Sequence, residues 1–257
     1  MITIRDLQQD LEAMGIRPSD TVCIHTSLRS VGPVVGGAEA FIRAFTDYLR
    51  DGLLVVPTHT WASVRPESPV YDVRRTEPCI GVVPKIAAFH PDGVRSMHAT
   101  HSVAVFGRRA AEYAQLDNHA ATPTPAEGCF GHLYDEHAKI LLIGVGQERH
   151  TFIHVTEEIV DVPLRLSEPF EVTLIDREGH AEKRMIQRHF NPYCAHISEN
   201  FVKFDPIFAA KGAVTMQRLG NASVQLCDAV RCQDITVRLW REALAAGRDL
   251  TVDMRAV

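Results

Sequence analysis

The segment ILLIGVGQERHTFIHVTEE, residues 140–158, decides the fold. It opens on four consecutive apolar residues, 140–143, and these run straight into Gly144 and Gly146. A short apolar run that ends at glycines reads as a strand buried on both faces, the kind found in the middle of a parallel sheet. The chain then turns through a polar loop and restarts as a helix near Thr151, a residue suited to the N-cap. His154 falls on the first turn of that helix, with Glu157 and Glu158 three and four residues later. That spacing puts a carboxylate beside the imidazole on one helix face, an arrangement suited to proton transfer. First-turn carboxylates also complement a helix N-terminus without any catalytic role.

The flanking sequence repeats the strand-to-helix pattern. Residues 4–14 are spaced like one apolar helix face, with Gly15 after them. Residues 21–26 alternate and are rich in β-branched side chains, so they read as a strand. The stretch HTSLRSVGPVVGG, residues 25–37, leads from this strand to a helix over 38–50 and could offer backbone N–H groups to an anion. It fits neither the Walker nor the Rossmann glycine pattern. A second buried strand, 53–56, breaks at Pro57 and ends in Thr58, His59, Thr60 and Trp61. Polar groups at a strand's carboxyl end mark where α/β proteins place their sites.

Residues 62–80 read as a long irregular loop and a lid candidate, followed by a helix over 82–89. His98 and His101 precede a strand at 102–106. A His-x-x-His pair raises the question of zinc, but no His-Glu-x-x-His helix or cysteine cluster completes a ligand set, so no metal is expected. Residues 108–138 read as helix and loop with a sharp bend at 128–131. Two strands joined near 177–179 follow, then a loop with His189, a helical segment at 195–204, short strands around 220–221, and a final helix over 234–246. The simplest organisation is one α/β domain over residues 1–257 with a C-terminal subregion from about 165.

Composition narrows the function classes. The 257 residues carry a formal charge of −5, with 46% hydrophobic and 23% charged residues, as in an ordinary globular protein. No basic stripe with interleaved aromatics suggests nucleic acid. The opening MITIRDLQQDLEAMG has no apolar signal-peptide core, and no apolar run is long enough to span a bilayer. The six cysteines, Cys23, Cys79, Cys129, Cys194, Cys227 and Cys232, form no Cys-x-x-Cys pair and read as reduced thiols of a cytoplasmic protein.

Several stretches together resemble the aminoglycoside N(3)-acetyltransferase family, the antibiotic N-acetyltransferases. HTSLRSVGPVVGG is similar to the family's His-Ser-Ser-x-x-Ser-x-Gly segment, and GLLVVPTHTW (52–61) to its proline-broken strand end. TEPCIGVVP (76–84), RSMHATHSVAVFG (95–107) and LLIGVGQERHTFIHVTEE (141–158) match further motifs in the same order, and RLGNASVQL (218–226) extends the likeness. The resemblance implies a three-layer α/β/α domain with a mixed central sheet, and direct acetyl transfer from acetyl-CoA to an amine without an acyl-enzyme. It implies that His154 is the catalytic base, Thr151 a site hydroxyl and Glu157 the acidic partner. It places CoA along Thr26, Ser27, Leu28, Arg29, Ser30, Val31, Gly32, Val34, Gly36 and Gly37, and near Pro57, Thr58 and Ser102. On the acceptor side it leaves Glu158, Asp161, Trp61, His98 and His189 as candidates, with a homodimer as a candidate assembly.

Three departures stand out. His150 replaces the usual asparagine, Ala99 the usual proline, and Gln187-Arg188-His189 stands where some relatives carry acidic residues.

The chemistry agrees with these residue types. An amine must lose a proton to attack, and an imidazole is the side chain that titrates near neutral pH. Backbone N–H groups or a hydroxyl can hold the thioester oxygen as charge develops on it. A thiolate leaves readily, its parent thiol having a pKa of about 8.5. Three other readings compete with aminoglycoside acetylation: the same chemistry on another amine, a metal-dependent hydrolase using His98, His101 and His189, and a non-catalytic CoA-binding protein.

Overall fold

The computed structural model describes residues 1–193 and 196–248. Cys194, one of the six expected thiols, and Ala195, the first residue of the expected 195–204 helix, lie outside the described residues. The chain runs α1 (Ile4–Ala13), β1 (Thr21–Thr26), a one-turn α2 (Leu28–Val31), α3 (Gly37–Tyr48), β2 (Leu53–Pro57), β3 (Val70–Asp72), α4 (Val82–Ala88), β4 (Val94–Arg95), β5 (Val103–Phe106) and α5 (Ala110–Ala114). It continues through β6 (Lys139–Ile143), α6 (Phe152–Val160), β7 (Phe170–Ile175), β8 (Ala181–Ile186), α7 (Asp205–Ala210), β9 (Val214–Leu219), β10 (Ala222–Asp228) and α8 (Ala229–Ala245).

Seven strands form the central sheet in the order β4-β5-β2-β1-β6-β10-β9. The middle three, β2, β1 and β6, are parallel, while β5, β4, β10 and β9 pair antiparallel on the flanks. Strand periodicity of two sends alternate side chains to opposite faces. Val22 and Ile24 of β1, Leu54 and Val56 of β2, and Leu141 and Ile143 of β6 enter one core, packed under α1, α3 and α4. Cys23, Leu53, Val55, Ile140 and Leu142 enter the other, which is closed by α5, α6, α7 and α8. Both faces are therefore dry, which is why the 140–143 run contains no polar residue. The expected three-layer α/β/α arrangement with a mixed sheet is the one observed.

Local signals set the element ends. Thr3 and Asp6 form a reciprocal capping box that starts α1. Gly144 ends β6 at φ 64°, and a Cβ there would stand 2.3 Å from Ser30 Cβ. Only glycine lets the β6 exit lie this close to α2.

Three elements differ from expectation. The 62–80 segment contains β3, which pairs in parallel with β7 (Val70↔Thr173), and with β8 completes a small separate sheet. Tyr71, Val172, Leu174 and Ile186 form its core. Residues Ile197–Phe204 are a 3-10 helix, and α8 begins at Ala229, capped by the Asp228 side chain on Arg231 N, five residues before the expected start. Among the described residues no helix is long and apolar enough to cross a membrane.

Trp240 of α8 is fully buried, with its ring edge-on to Phe204 at 5.6 Å. Trp240→Ala should lower unfolding free energy by about 3–5 kcal/mol in urea titrations. A loss under about 1 kcal/mol would mean that α8 contributes little to the core.

Candidate active site

The carboxyl ends of β1, β2 and β6 open into a cavity of about 700 Å³. Its apolar side comes from Ile24, Val56, Pro57, Val83 and Pro84, and its polar side includes Thr151, His154, His189 and Arg188. A second hollow of about 500 Å³ shares Val145 and Glu148 with it and reaches Ser30, Asn221 and Ser223.

His154 stands on the first turn of α6. Its Nδ1 meets Glu157 Oε2 at 2.6 Å, and Arg165 Nε donates to the other oxygen, Oε1, at 2.8 Å. Glu157 is 1% exposed and Arg165 3%. Burial opposes the charge on Glu157, but His154 and Arg165 outweigh it and hold its carboxyl below the ordinary value. A carboxylate only accepts, so Nδ1 is the nitrogen that donates in this contact. Nε2 has no hydrogen-bond partner among the described residues. His189 stacks on the His154 ring with centroids 4.0 Å apart, and Phe201 meets it edge-on at 4.8 Å. A row of rings continues from His189 to His101 at 4.7 Å and from His101 to His59 at 4.6 Å. Burial, reinforced by neighbouring imidazoles, pushes the pKa of His59, His101 and His189 well below the ordinary value, so this wall is neutral.

The residues expected from the sequence divide. Thr151, His154, His189, Trp61, Thr26 and Pro57 line the cavity. Glu157 stands directly behind His154. Thr58 and Ser102 are buried beside the cavity, with their hydroxyls 2.8 Å apart and Arg95 Nε donating to both. Of the remaining 26–37 loop, Ser30 lines the second hollow and the other expected residues line neither space; α2 folds part of it into a helical turn.

Three acceptor candidates lie elsewhere. Glu158 accepts from Thr122 Oγ1 at 2.5 Å and from Thr124 N and Oγ1 at 2.8 Å, anchoring that loop to α6. Asp161 ends α6 in the left-handed conformation, at the opposite end from His154. His98 donates from Nε2 to Thr122 O at 2.9 Å and accepts from Thr100 N and His101 N at Nδ1, a purely internal role. Arg165 and Phe201 carry no local sequence pattern and were not foreseen; Arg188 stood out only as part of the Gln187-Arg188-His189 departure, with no role assigned to it.

The family model for aminoglycoside 3-N-acetyltransferases matches residues 23–241. Aminoglycoside N(3)-acetyltransferase VIII of Streptomyces fradiae is 28% identical over 96% of this chain and 94% of its own length. Aminoglycoside N(3)-acetyltransferase III of Serratia marcescens is 27% identical over 70% and 72%. Among solved structures, AAC-IIIb in a binary complex with CoASH superposes with a TM-score of 0.81 at 22% identity, covering 93% of this chain and 96% of that one. AAC-VIa bound to sisomicin gives 0.80 at 22% identity, covering 94% and 98%. The family match over most of the chain defines an acyltransferase. The chain belongs to the aminoglycoside 3-N-acetyltransferase family.

The cavity region also sets an acid limit on stability. His25, His59, His101 and His150 are all buried, and burial lowers the pKa of each, that of His25 to about 4. The unfolded chain, with imidazoles near pKa 6.5, therefore binds protons that the native chain refuses. Stability should be complete above about pH 6.5 and fall as the pH drops below it, for His25 levelling off near pH 4. Urea unfolding at pH 5.5 should show a loss of about 1.4 kcal/mol per buried imidazole relative to pH 7.5. Equal stability at the two values would mean that the rings take up protons in the fold as readily as in the unfolded chain.

Proposed function

We propose that this chain transfers an acetyl group from acetyl-CoA directly to an amine, with His154 as general base. The observation that carries the reading is the buried His154–Glu157–Arg165 array, which occupies Nδ1 and leaves Nε2 at the cavity wall without a partner among the described residues. Glu157 fixes the tautomer and supports the imidazolium formed when the amine gives up its proton. Arg165 keeps Glu157 ionised and in place. Thr151, on the cavity wall three residues before His154, is the hydroxyl assigned to the thioester oxygen as negative charge grows on it. Acetyl-CoA binds against the apolar side, between the ends of β1 and β2 and the start of α4, with the Thr26–Ser30 turn beside it. The leaving thiolate needs little proton assistance. Much of the acceleration is then positional: two substrates are held with the amine facing the carbonyl carbon.

The family points to the 3-amino group of an aminoglycoside as the acceptor. The same chemistry on another amine is favoured by one observation. The carboxylates Glu158 and Asp161 lie outside the cavity, whose lining balances Glu148 and Glu199 against Arg149 and Arg188. A polycation is drawn by a cleft of net negative potential.

His154→Ala should reduce kcat for acetyl transfer by about 100-fold or more while CoA still binds. The measurement is thiol release from acetyl-CoA over a panel of amines, alongside calorimetric CoA binding. Near-normal turnover in the variant would remove His154 as the base, and CoA binding with no acceptor at all would reduce the protein to a cofactor-binding module. Stoichiometric zinc whose removal abolishes activity would favour the hydrolase reading instead.

A further inference from the structure

We propose that the acceptor amine carries an anionic group, a carboxylate or a phosphate, and that Arg188 holds it. The inference rests on reading the cavity as an N-acetylation site and takes the second of the two acceptor classes.

Arg188 leaves β8 two residues after its last member, Ile186, and is tied at its backbone, where its N–H donates to Ser167 Oγ at 3.0 Å. One terminal guanidinium nitrogen donates to Trp61 O at 2.7 Å. Nε is buried and has no partner among the described residues, and no described carboxylate lies within ion-pair distance of the guanidinium. Burial lowers its pKa; Glu67 opposes that shift from a distance and Arg65 adds to it. A half-buried guanidinium without a counter-ion keeps its fork available, and that fork fits a carboxylate or phosphate through paired donors.

Its position ties it to the reaction. The next residue, His189, stacks on His154 at 4.0 Å. Consecutive Cα atoms are about 3.8 Å apart, so the same short segment delivers both the ring against the base and the Arg188 guanidinium on the cavity wall. Beside His154 the wall offers neutral imidazoles, and Glu157 behind it is occupied by His154 and Arg165; Arg188 lines the same cavity next to Trp61, where neither of the lining carboxylates, Glu148 and Glu199, pairs with it. That surface suits an amine whose other end is negative.

The test compares thiol release from acetyl-CoA with sisomicin, 6-aminohexanoate, O-phosphoethanolamine and benzylamine, using the native protein, R188Q and R188K. Native protein should turn over 6-aminohexanoate or O-phosphoethanolamine with kcat/KM at least about tenfold above benzylamine and sisomicin. The better of the two identifies the anion as carboxylate or phosphate. R188Q should raise KM for that acceptor by about tenfold or more while KM for acetyl-CoA stays within about twofold, and R188K should recover part of the loss. A rise in KM for acetyl-CoA instead would assign Arg188 to the donor's own phosphates and overturn the inference. Turnover of sisomicin alone, indifferent to R188Q, would overturn it too while leaving N-acetylation standing. Absence of thiol release with every amine would remove the N-acetylation reading and this inference with it.

Discussion

A single carboxylate, that of Glu157, organises the cavity end of the molecule. It is almost fully buried, and an ionised carboxylate there is tolerable only if its oxygens are occupied. One oxygen takes the His154 proton and the other the Arg165 N–H. The bond to His154 is local, across one turn of α6. The bond to Arg165 ties α6 to the chain that leaves it. The His154 ring thus receives its orientation from two directions, with His189 stacked on it and Phe201 in edge contact. Removal of either partner would leave a buried charge half-compensated.

The sheet determines where that array can stand. Three parallel strands end together, and the turn after each supplies a different part of the cavity: Thr26 after β1, His59 and Trp61 after β2, and the Val145–Thr151 stretch after β6. The antiparallel hairpin β9–β10 extends the sheet beside β6, where its residues form the second hollow. The small β3-β7-β8 sheet delivers, through its last strand, the segment with Arg188 and His189.

What was legible in the sequence follows from how local the physics is. The runs at 53–56 and 140–143 declare a doubly buried sheet because every residue must face a core, while 21–26 is legible as a strand from its alternation and β-branched residues. His154 and its i+3 carboxylate are legible because both sit on one helix turn. The β3 strand is not: it has three residues, only two of them buried, and its partner β7 lies some hundred residues away. Glu157 and Glu158 look equivalent as neighbours in sequence. Their fates diverge only because one meets Arg165 and the other meets Thr122 and Thr124, contacts made by distant chain. The start of α8 was read late for a similar reason: its first turn is polar around Arg231, and the cap on Asp228 outweighs the weak periodicity there.

The bonds of Glu158 have a mechanical meaning. They pin the 122–124 loop to α6, and one residue earlier Ala121 O accepts from Gln187 N at 2.7 Å. Helix, loop and the 187–189 segment are thereby braced like struts of one truss, with His154 on the first and His189 on the last. The spacing between the two stacked rings is fixed during folding, so no ordering of these parts is left to be done when a substrate arrives.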